Sequence, residues 1–242
     1  MVFDGREFAA KIEAGLPKIH TKLVAVLDST NESGRKYVEI KKKVAGRLGV
    51  KLEIELSNGL TVDQLGENIK TWNSDLEVGG VVVQLPHPNS DELIAMIDPK
   101  KDIDGLREDS PFMPAVVRAV VEILGQSFKD RPYKSVVVVG GDGEIGRRLV
   151  ENLGAEGMNK KNFAPAKLLE ADVVVSATGQ AGLIKPEMVK PGVIAIDVGY
   201  PRGDFDPGVA QKARFFTPVP GGVGPVTVVM LFANLIDGIL GK

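Results

Sequence analysis

Short apolar runs separated by longer mixed segments set the rhythm of this chain, at residues 23–27, 52–56, 78–84, 135–139, 173–176 and 193–198. The runs are rich in Val and Ile and apolar on both faces, which predicts parallel strands covered by helices on each side, and hence an α/β fold. Between the first two, residues 35–48 carry Tyr37, Lys41, Val44 and Leu48 at helical spacing on one face, while Lys36, Glu39, Lys43 and Arg47 point elsewhere. Lys41 is the odd member of that inward stripe. A break falls at Pro111-Phe112-Met113-Pro114, and residues 115–124 read as a helix started by a proline. The pattern therefore predicts a first domain over 1–114 and a second over 115–225. The last segment, 226–242, is apolar nearly all round; it is predicted to complete the first domain and to be held between both halves.

In the predicted second domain the strand ending at Val139 runs into Gly140-Gly141-Asp142-Gly143-Glu144-Ile145-Gly146. Gly141, Gly143 and Gly146 form GxGxxG directly after a strand and before a helix-compatible stretch. Glycines there permit a tight turn, close approach of a pyrophosphate and close helix packing, while the helix N-terminus offers amide donors. Two later strands end in Ala177-Thr178-Gly179 and Asp197-Val198-Gly199, small residues where a cofactor would lie in an open parallel sheet. The acid expected about twenty residues after the glycines is replaced by Lys160 and Lys161, which meet a 2′-phosphate or form a solvated loop. Further on, Thr217-Pro218-Val219-Pro220-Gly221-Gly222-Val223-Gly224-Pro225 is predicted to be neither helix nor inner strand, a rigid loop that brings backbone close to a flat ligand.

Composition narrows the ligand class. The 242 residues, 43% of them hydrophobic, can fill a proper core, and 30 basic against 32 acidic residues without long runs of one sign advertise no nucleic-acid or anionic-membrane partner. With no cysteine, and two distant histidines at 20 and 87, no metal site is expected. The N-terminus lacks a signal pattern, and Asn234 and Asp237 break the C-terminal apolar run short of a membrane span, so a cytoplasmic protein acting on small molecules is expected.

In the first half, Gln84 ends a buried strand before a loop stiffened by Pro86 and Pro88, and Asp102 and Asp104 precede Gly105. Singly these are a loop anchor and an ordinary turn. Together with Phe3-Asp4-Gly5-Arg6, Tyr37-Val38-x-x-Lys41, Gly79-Gly80 through Pro88, Lys101 to Gly105, Ala171-Asp172, Ile196 to Gly199 and Thr217 to Pro225, they resemble, in order, the FolD family of methylenetetrahydrofolate dehydrogenase/cyclohydrolases. The resemblance implies two α/β domains around a cleft, the second a Rossmann-like NAD(P)-binding parallel sheet. It implies two reactions in one pocket: oxidation of methylenetetrahydrofolate by NAD or NADP, then hydrolysis of the methenyl product to formyltetrahydrofolate. Lys41, Gln84 and Tyr37 would carry the catalysis, with Tyr37, Asp104, Pro218, Gly221 and Gly222 on the tetrahydrofolate. Gly140, Gly141, Asp142, Gly143, Gly146, Ala177, Gly179, Gly199, Tyr200 and Thr217 would meet the cofactor. A homodimer is implied as well. A cyclohydrolase without dehydrogenase activity, a reductase of the shikimate dehydrogenase kind and a non-catalytic folate- or nucleotide-binding module stay open.

The chain also departs from the family. Its usual Arg-Ser pair is Gly141-Asp142 here, which removes a 2′-phosphate clamp and favours NAD. The second strand with a His-Ser element and the helix after it are shortened to 159–170, residues 28–34 lack the usual glycine-aspartate-proline loop, Phe112-Met113 replace Cys-Thr, and His87 stands for a leucine.

Overall fold

A computed structural model describes residues 1–129 and 133–241. In chain order its elements are α1 (Gly5–Ala14), β1 (Lys22–Leu27), α2 (Glu32–Leu48), β2 (Lys51–Leu56), α3 (Val62–Ser74), β3 (Val78–Val83), α4 (Ser90–Met96), α5 (Ala115–Phe128), β4 (Val136–Val139), α6 (Glu144–Leu153), β5 (Glu156–Met158), α7 (Pro165–Glu170), β6 (Val173–Ser176), β7 (Ile194–Asp197), α8 (Val209–Lys212), β8 (Phe215–Phe216) and α9 (Val223–Leu240). They form two compact units: Ile12–Ala115 with Val228–Lys242, and Met1–Lys11 with Val116–Thr227. Lys242, the last residue of the predicted C-terminal segment, lies outside the described residues.

The first of these units is built on a parallel sheet of order β2-β1-β3. Val24, Val26, Val81 and Val83 pack against Leu65, Ile69, Leu93 and Ile97 of the helical layer. β1 and β3 are almost wholly buried, as their unbroken apolar runs require. β2 corrects the expectation of a strand apolar on both faces. It is an edge strand in which Lys51, Glu53 and Glu55 alternate with Leu52, Ile54 and Leu56, and all six are at least partly exposed. The helices begin and end where the chain supplies caps. Asn31 accepts the Gly34 amide at 2.7 Å to start α2, and Gly49, at φ 80°, stops it.

The second unit holds a parallel sheet of order β5-β4-β6-β7-β8, so the chain turns back at β4 and winds outward on both sides. Counted from β4 this is the order 2-1-3-4-5 of doubly wound sheets, whose ligands bind beyond the carboxyl ends of the strands, at the reversal between β4 and β6. The core under it comprises Val137, Val139, Met158, Leu168, Val174, Ala195 and Phe216. Around the segment 159–170 the structure has a three-residue β5, which ends just before it at Met158, and a six-residue α7 within it.

Two readings of the C-terminal region change. The nine-residue proline-glycine stretch is not loop throughout, since Val223, Gly224 and Pro225 form the first turn of α9. Proline is tolerated there because the first-turn amides have no helical partner in any case. And α9, at 18 residues with mean hydropathy 1.9, is by length and composition long enough to cross a membrane, against the expectation that Asn234 and Asp237 cut it short. Most of it is buried inside the protein, and Asn234 Nδ2 donates to the Ile103 and Met113 carbonyls at 2.9 and 3.0 Å, as in a core helix.

Candidate functional site

Lys41 is carried inward by α2, on the face that also buries Gly34, Val38, Val44, Ala45 and Leu48. Only 5% of it is exposed. An amine so placed must find an acceptor, and Nζ donates to Gln84 Oε1 at 2.9 Å. Gln84 stands at the carboxyl end of β3, where its amide continues the sheet to the Val26 carbonyl at 2.9 Å and its Nε2 donates to the Leu85 carbonyl at 3.1 Å. With both ends of its side-chain amide engaged, Gln84 presents its oxygen to the lysine in one orientation. The cap of α2 adds a tie, for Asn31 Nδ2 donates to the Pro86 carbonyl at 2.9 Å. The N-terminal end of α2 and the loop after Gln84 are thereby pinned together.

The two acids of Asp102-Ile103-Asp104-Gly105 divide the work. Asp102, 2% exposed, accepts the Arg107 amide at 2.8 Å and shapes the turn. Gly105, at φ 71°, lets the chain pass where a Cβ would sit 2.8 Å from the Phe112 and Met113 backbone. Asp104 is left facing Lys41. Burial pushes the Asp104 carboxyl up and the Lys41 amine down, and each opposes the other's shift through its own charge. Tyr37 lies half-buried one helical turn before Lys41. Three segments remote in sequence thus bring an amine, an amide and an acid together. Burial disfavours the charged form of this amine, so it gives up its proton more readily than an exposed lysine and can take up and return one. His87, 7% exposed, faces Ser57 Oγ at 3.0 Å and accepts the Asn89 amide at 3.2 Å, which fixes the loop after Gln84.

In the other unit the glycine turn is built by three close approaches. Gly140 (φ 86°) and Gly141 both donate their amides to the Met158 carbonyl at 2.8 Å. A Cβ at Gly141 would lie 2.8 Å from Gly157 Cα, and one at Gly146 only 1.9 Å from the Gly140 carbonyl oxygen. Gly143 opens α6 with no side-chain cap, so the helix amides face outward beside the exposed Asp142. This cradle, open where a side chain would fill it, fits a dinucleotide pyrophosphate. Ala177 and Gly179 lie beyond β6, and Gly199, buried, and Tyr200, 38% exposed, lie beyond β7. Thr217 is wholly buried, its hydroxyl accepting the Asp197 amide at 2.7 Å. Pro218 and Gly221 are partly exposed and Gly222 buried. Gly221 is anchored from the N-terminus, where the Gly5 amide reaches its carbonyl at 3.0 Å and a Cβ on Gly5 would sit 1.8 Å from the Gly222 oxygen. That approach accounts for the glycine in Phe3-Asp4-Gly5-Arg6.

The sequence reading missed a second group, the buried acids Asp197 and Asp204 with Ser176. An acid closing the apolar run Ile194-Ala195-Ile196 could have flagged Asp197. Asp204, inside a glycine- and proline-rich connection, carries no such signal.

A dinucleotide-type turn on a doubly wound sheet in one unit, and a lysine equipped to handle protons in the other, define an α/β enzyme of the nicotinamide-dependent class. Residues 3–104 match the family model of the tetrahydrofolate dehydrogenase/cyclohydrolase catalytic domain, and residues 114–241 that of its NAD(P)-binding domain. The chain belongs to the tetrahydrofolate dehydrogenase/cyclohydrolase family. It is 33% identical to the bifunctional protein FolD of Xanthomonas euvesicatoria pv. vesicatoria, over 98% of this chain and 91% of that protein. To the FolD protein of Listeria innocua it is also 33% identical, over 97% and 95%. Among solved structures, the bifunctional enzyme FolD of Campylobacter jejuni superposes with TM-score 0.88 at 30% identity, covering 100% of this chain and 99% of that one. The Trypanosoma brucei enzyme, complexed with NADP cofactor and inhibitor, gives 0.85 at 29%, covering 100% and 97%.

Proposed function

We propose that this chain oxidises methylenetetrahydrofolate to methenyltetrahydrofolate with a nicotinamide dinucleotide, and hydrolyses the latter to formyltetrahydrofolate. The observation that carries the reading is the buried Lys41 Nζ–Gln84 Oε1 bond beside Asp104. The bound dinucleotide would supply the hydride acceptor. The residues of this chain do the rest. Uncharged Lys41, oriented by Gln84, takes a proton from the water whose oxygen adds to the methenyl carbon. As one carbon–nitrogen bond of the adduct breaks, the proton returns to the departing nitrogen, leaving the formyl group on the other; overall, one water is consumed and one proton released. Asp104 accepts hydrogen bonds from the pterin amino and ring N–H groups, and Tyr37 packs on the folate. Pro218, Gly221 and Gly222 offer backbone to the same ligand.

NAD is the dinucleotide this reading favours. Asp142 repels a 2′-phosphate, and the approach of Gly157 leaves no room at position 141 for the family's arginine. A homodimer in the cytoplasm is the proposed working form. The test is a nicotinamide absorbance assay with methylenetetrahydrofolate, run with NAD and with NADP, beside the decay of methenyltetrahydrofolate absorbance. Both activities are expected, the first faster with NAD. Absence of both discards the function. Hydrolysis alone would select a cyclohydrolase that has lost hydride transfer, the second reading, which the short β5 and α7 favour.

A further inference from the structure

Asp204 is fully buried, yet its two oxygens are used very unequally. Oδ2 accepts three hydrogen bonds, from Ser176 Oγ at 2.8 Å, the Thr178 amide at 2.7 Å and Thr178 Oγ1 at 2.9 Å. Oδ1 has no hydrogen-bond partner among the described residues. It lies instead with Asp197 Oδ1 over Gly199, where a Cβ would meet the two oxygens at 2.4 and 3.0 Å. Asp197 in turn accepts the amides of Gly199 and Asp204 on Oδ1, at 2.9 and 3.1 Å, and of Phe205 on Oδ2 at 3.1 Å. The connection after β7 is folded back around one acid so that it can hold a second beneath the ends of β6 and β7.

Stability does not account for this arrangement. A buried carboxylate with an unpaired oxygen, beside another buried carboxylate, is destabilising in itself, and a neutral side chain would fill the space at less cost. Departures of that kind gather where a site must be held in one geometry. What Asp204 holds is Thr178, between Ala177 and Gly179 at the carboxyl end of β6. That loop in turn abuts the glycine turn, since a Cβ on Gly140 would meet the Ala177 carbonyl oxygen at 2.7 Å and Thr178 Cγ2 at 3.2 Å. The two loops are the walls of the reversal between β4 and β6, the place where a doubly wound sheet binds its ligand.

We propose that Asp204 is a positioning residue for the dinucleotide: it clamps Thr178 through Oδ2 and so sets the 177–179 loop against the Gly140 turn at the spacing the cofactor requires. The inference rests on the function proposed above for its cofactor but not for its folate chemistry, and its primary readout is binding. Dissociation constants of NAD and NADP are measured by calorimetry on the full chain and on three variants. Asp204→Ala removes all three acceptor contacts and weakens the better-bound dinucleotide about tenfold or more, the size expected of losing a charge-assisted hydrogen bond. Asp204→Asn, which keeps an oxygen in place of Oδ2, restores most of that loss. Thr178→Val removes one donor and weakens binding less. Should Asp204→Ala fail to fold, Thr178→Val carries the test.

Kinetics separate the clamp from general damage. The KM for dinucleotide rises while kcat at saturation and methenyltetrahydrofolate hydrolysis stay near wild type, because Asp204 bonds Ser176 and Thr178 and is not among the groups around Lys41 and Gln84. Dinucleotide affinity unchanged in folded Asp204→Ala or Thr178→Val overturns the proposal, as does a parallel fall of both activities. A wild-type chain that binds dinucleotide but oxidises no methylenetetrahydrofolate would remove the proposed dehydrogenase activity and leave the clamp standing. One that binds neither NAD nor NADP would remove both.

Discussion

Lys41 is the side chain on which the proposed hydrolysis turns. Its burial disfavours the ammonium, and Asp104 only partly offsets that, so the amine ionises below its ordinary range. Replacing it by Met is expected to lower methenyltetrahydrofolate hydrolysis by about 10²–10⁴-fold, the usual worth of a positioned proton-transfer group. Folate binding, followed by ligand-induced change in melting temperature, should be largely kept, and the apo protein should melt no lower because a buried amine has been exchanged for an apolar chain of similar length. Hydrolysis at the wild-type rate would discard Lys41 as the proton carrier. For the wild-type enzyme the sign of the pH dependence follows from the same cause: the proposed proton carrier is the unprotonated amine, so hydrolysis is expected to fall as pH drops through the depressed value. Helical spacing with Tyr37, Val44 and Leu48 was enough to read Lys41 as inward-facing. Its partner was beyond that reading, for nothing local says that a side chain 43 positions on will meet the nitrogen.

At the scale of elements, periodicity located six strands to within one residue at each end and the helix bearing Lys41 to within three, because buried parallel strands and an amphipathic helix announce themselves in unbroken or 3.6-spaced apolar positions. Elements with little burial of their own were less legible. β5 is three residues long and β8 two, and β2 alternates because it is an edge. The glycine turn shows how neighbouring elements restrict one another. Gly141 is pressed against β5, so restoring the family's arginine as Gly141→Arg should cost about 2–3 kcal/mol, in the range of overpacking against backbone that cannot yield. Urea unfolding would show a lowered midpoint, with no accompanying gain in preference for NADP. A variant of wild-type stability that prefers NADP would mean that β5 can give way.

For the whole molecule, the buried acids predict an unusual pH profile. Burial, with a smaller contribution from Asp204, pushes Asp197 up from 3.8 to about 6. A folded-state value above the unfolded one means the folded chain holds the extra proton, so this contribution is complete below pH 4 and lost as pH rises through 6. The loss is about 2–3 kcal/mol, since each tenfold difference in proton affinity between the folded and unfolded chain is worth about 1.4 kcal/mol. Asp172 acts the other way: hydrogen-bonded by Lys190 Nζ at 2.6 Å and by the Lys134 amide at 2.7 Å, it is lowered to about 2. Its contribution is present above pH 4 and lost as pH falls through 2. Urea titrations at a series of pH values should therefore show stability declining between pH 4 and 7, and less steeply in Asp197→Asn, where only the other acids raised by burial, Asp102 and Asp104, still contribute; an equal slope in both proteins would place the responsible group elsewhere. The sequence by itself determined the fold class, the glycine turn and the inward face of the helix that carries Lys41, because strand burial, helical spacing and the steric demands of a tight turn are local properties of the chain. Only the tertiary structure decided that Lys41 meets Gln84, that Asp102 builds a turn while Asp104 faces the amine, and that Asp204 lies beneath Thr178. Those pairings depend on which strand ends the sheets bring side by side, and partners in a hydrogen bond leave no periodic trace along the chain.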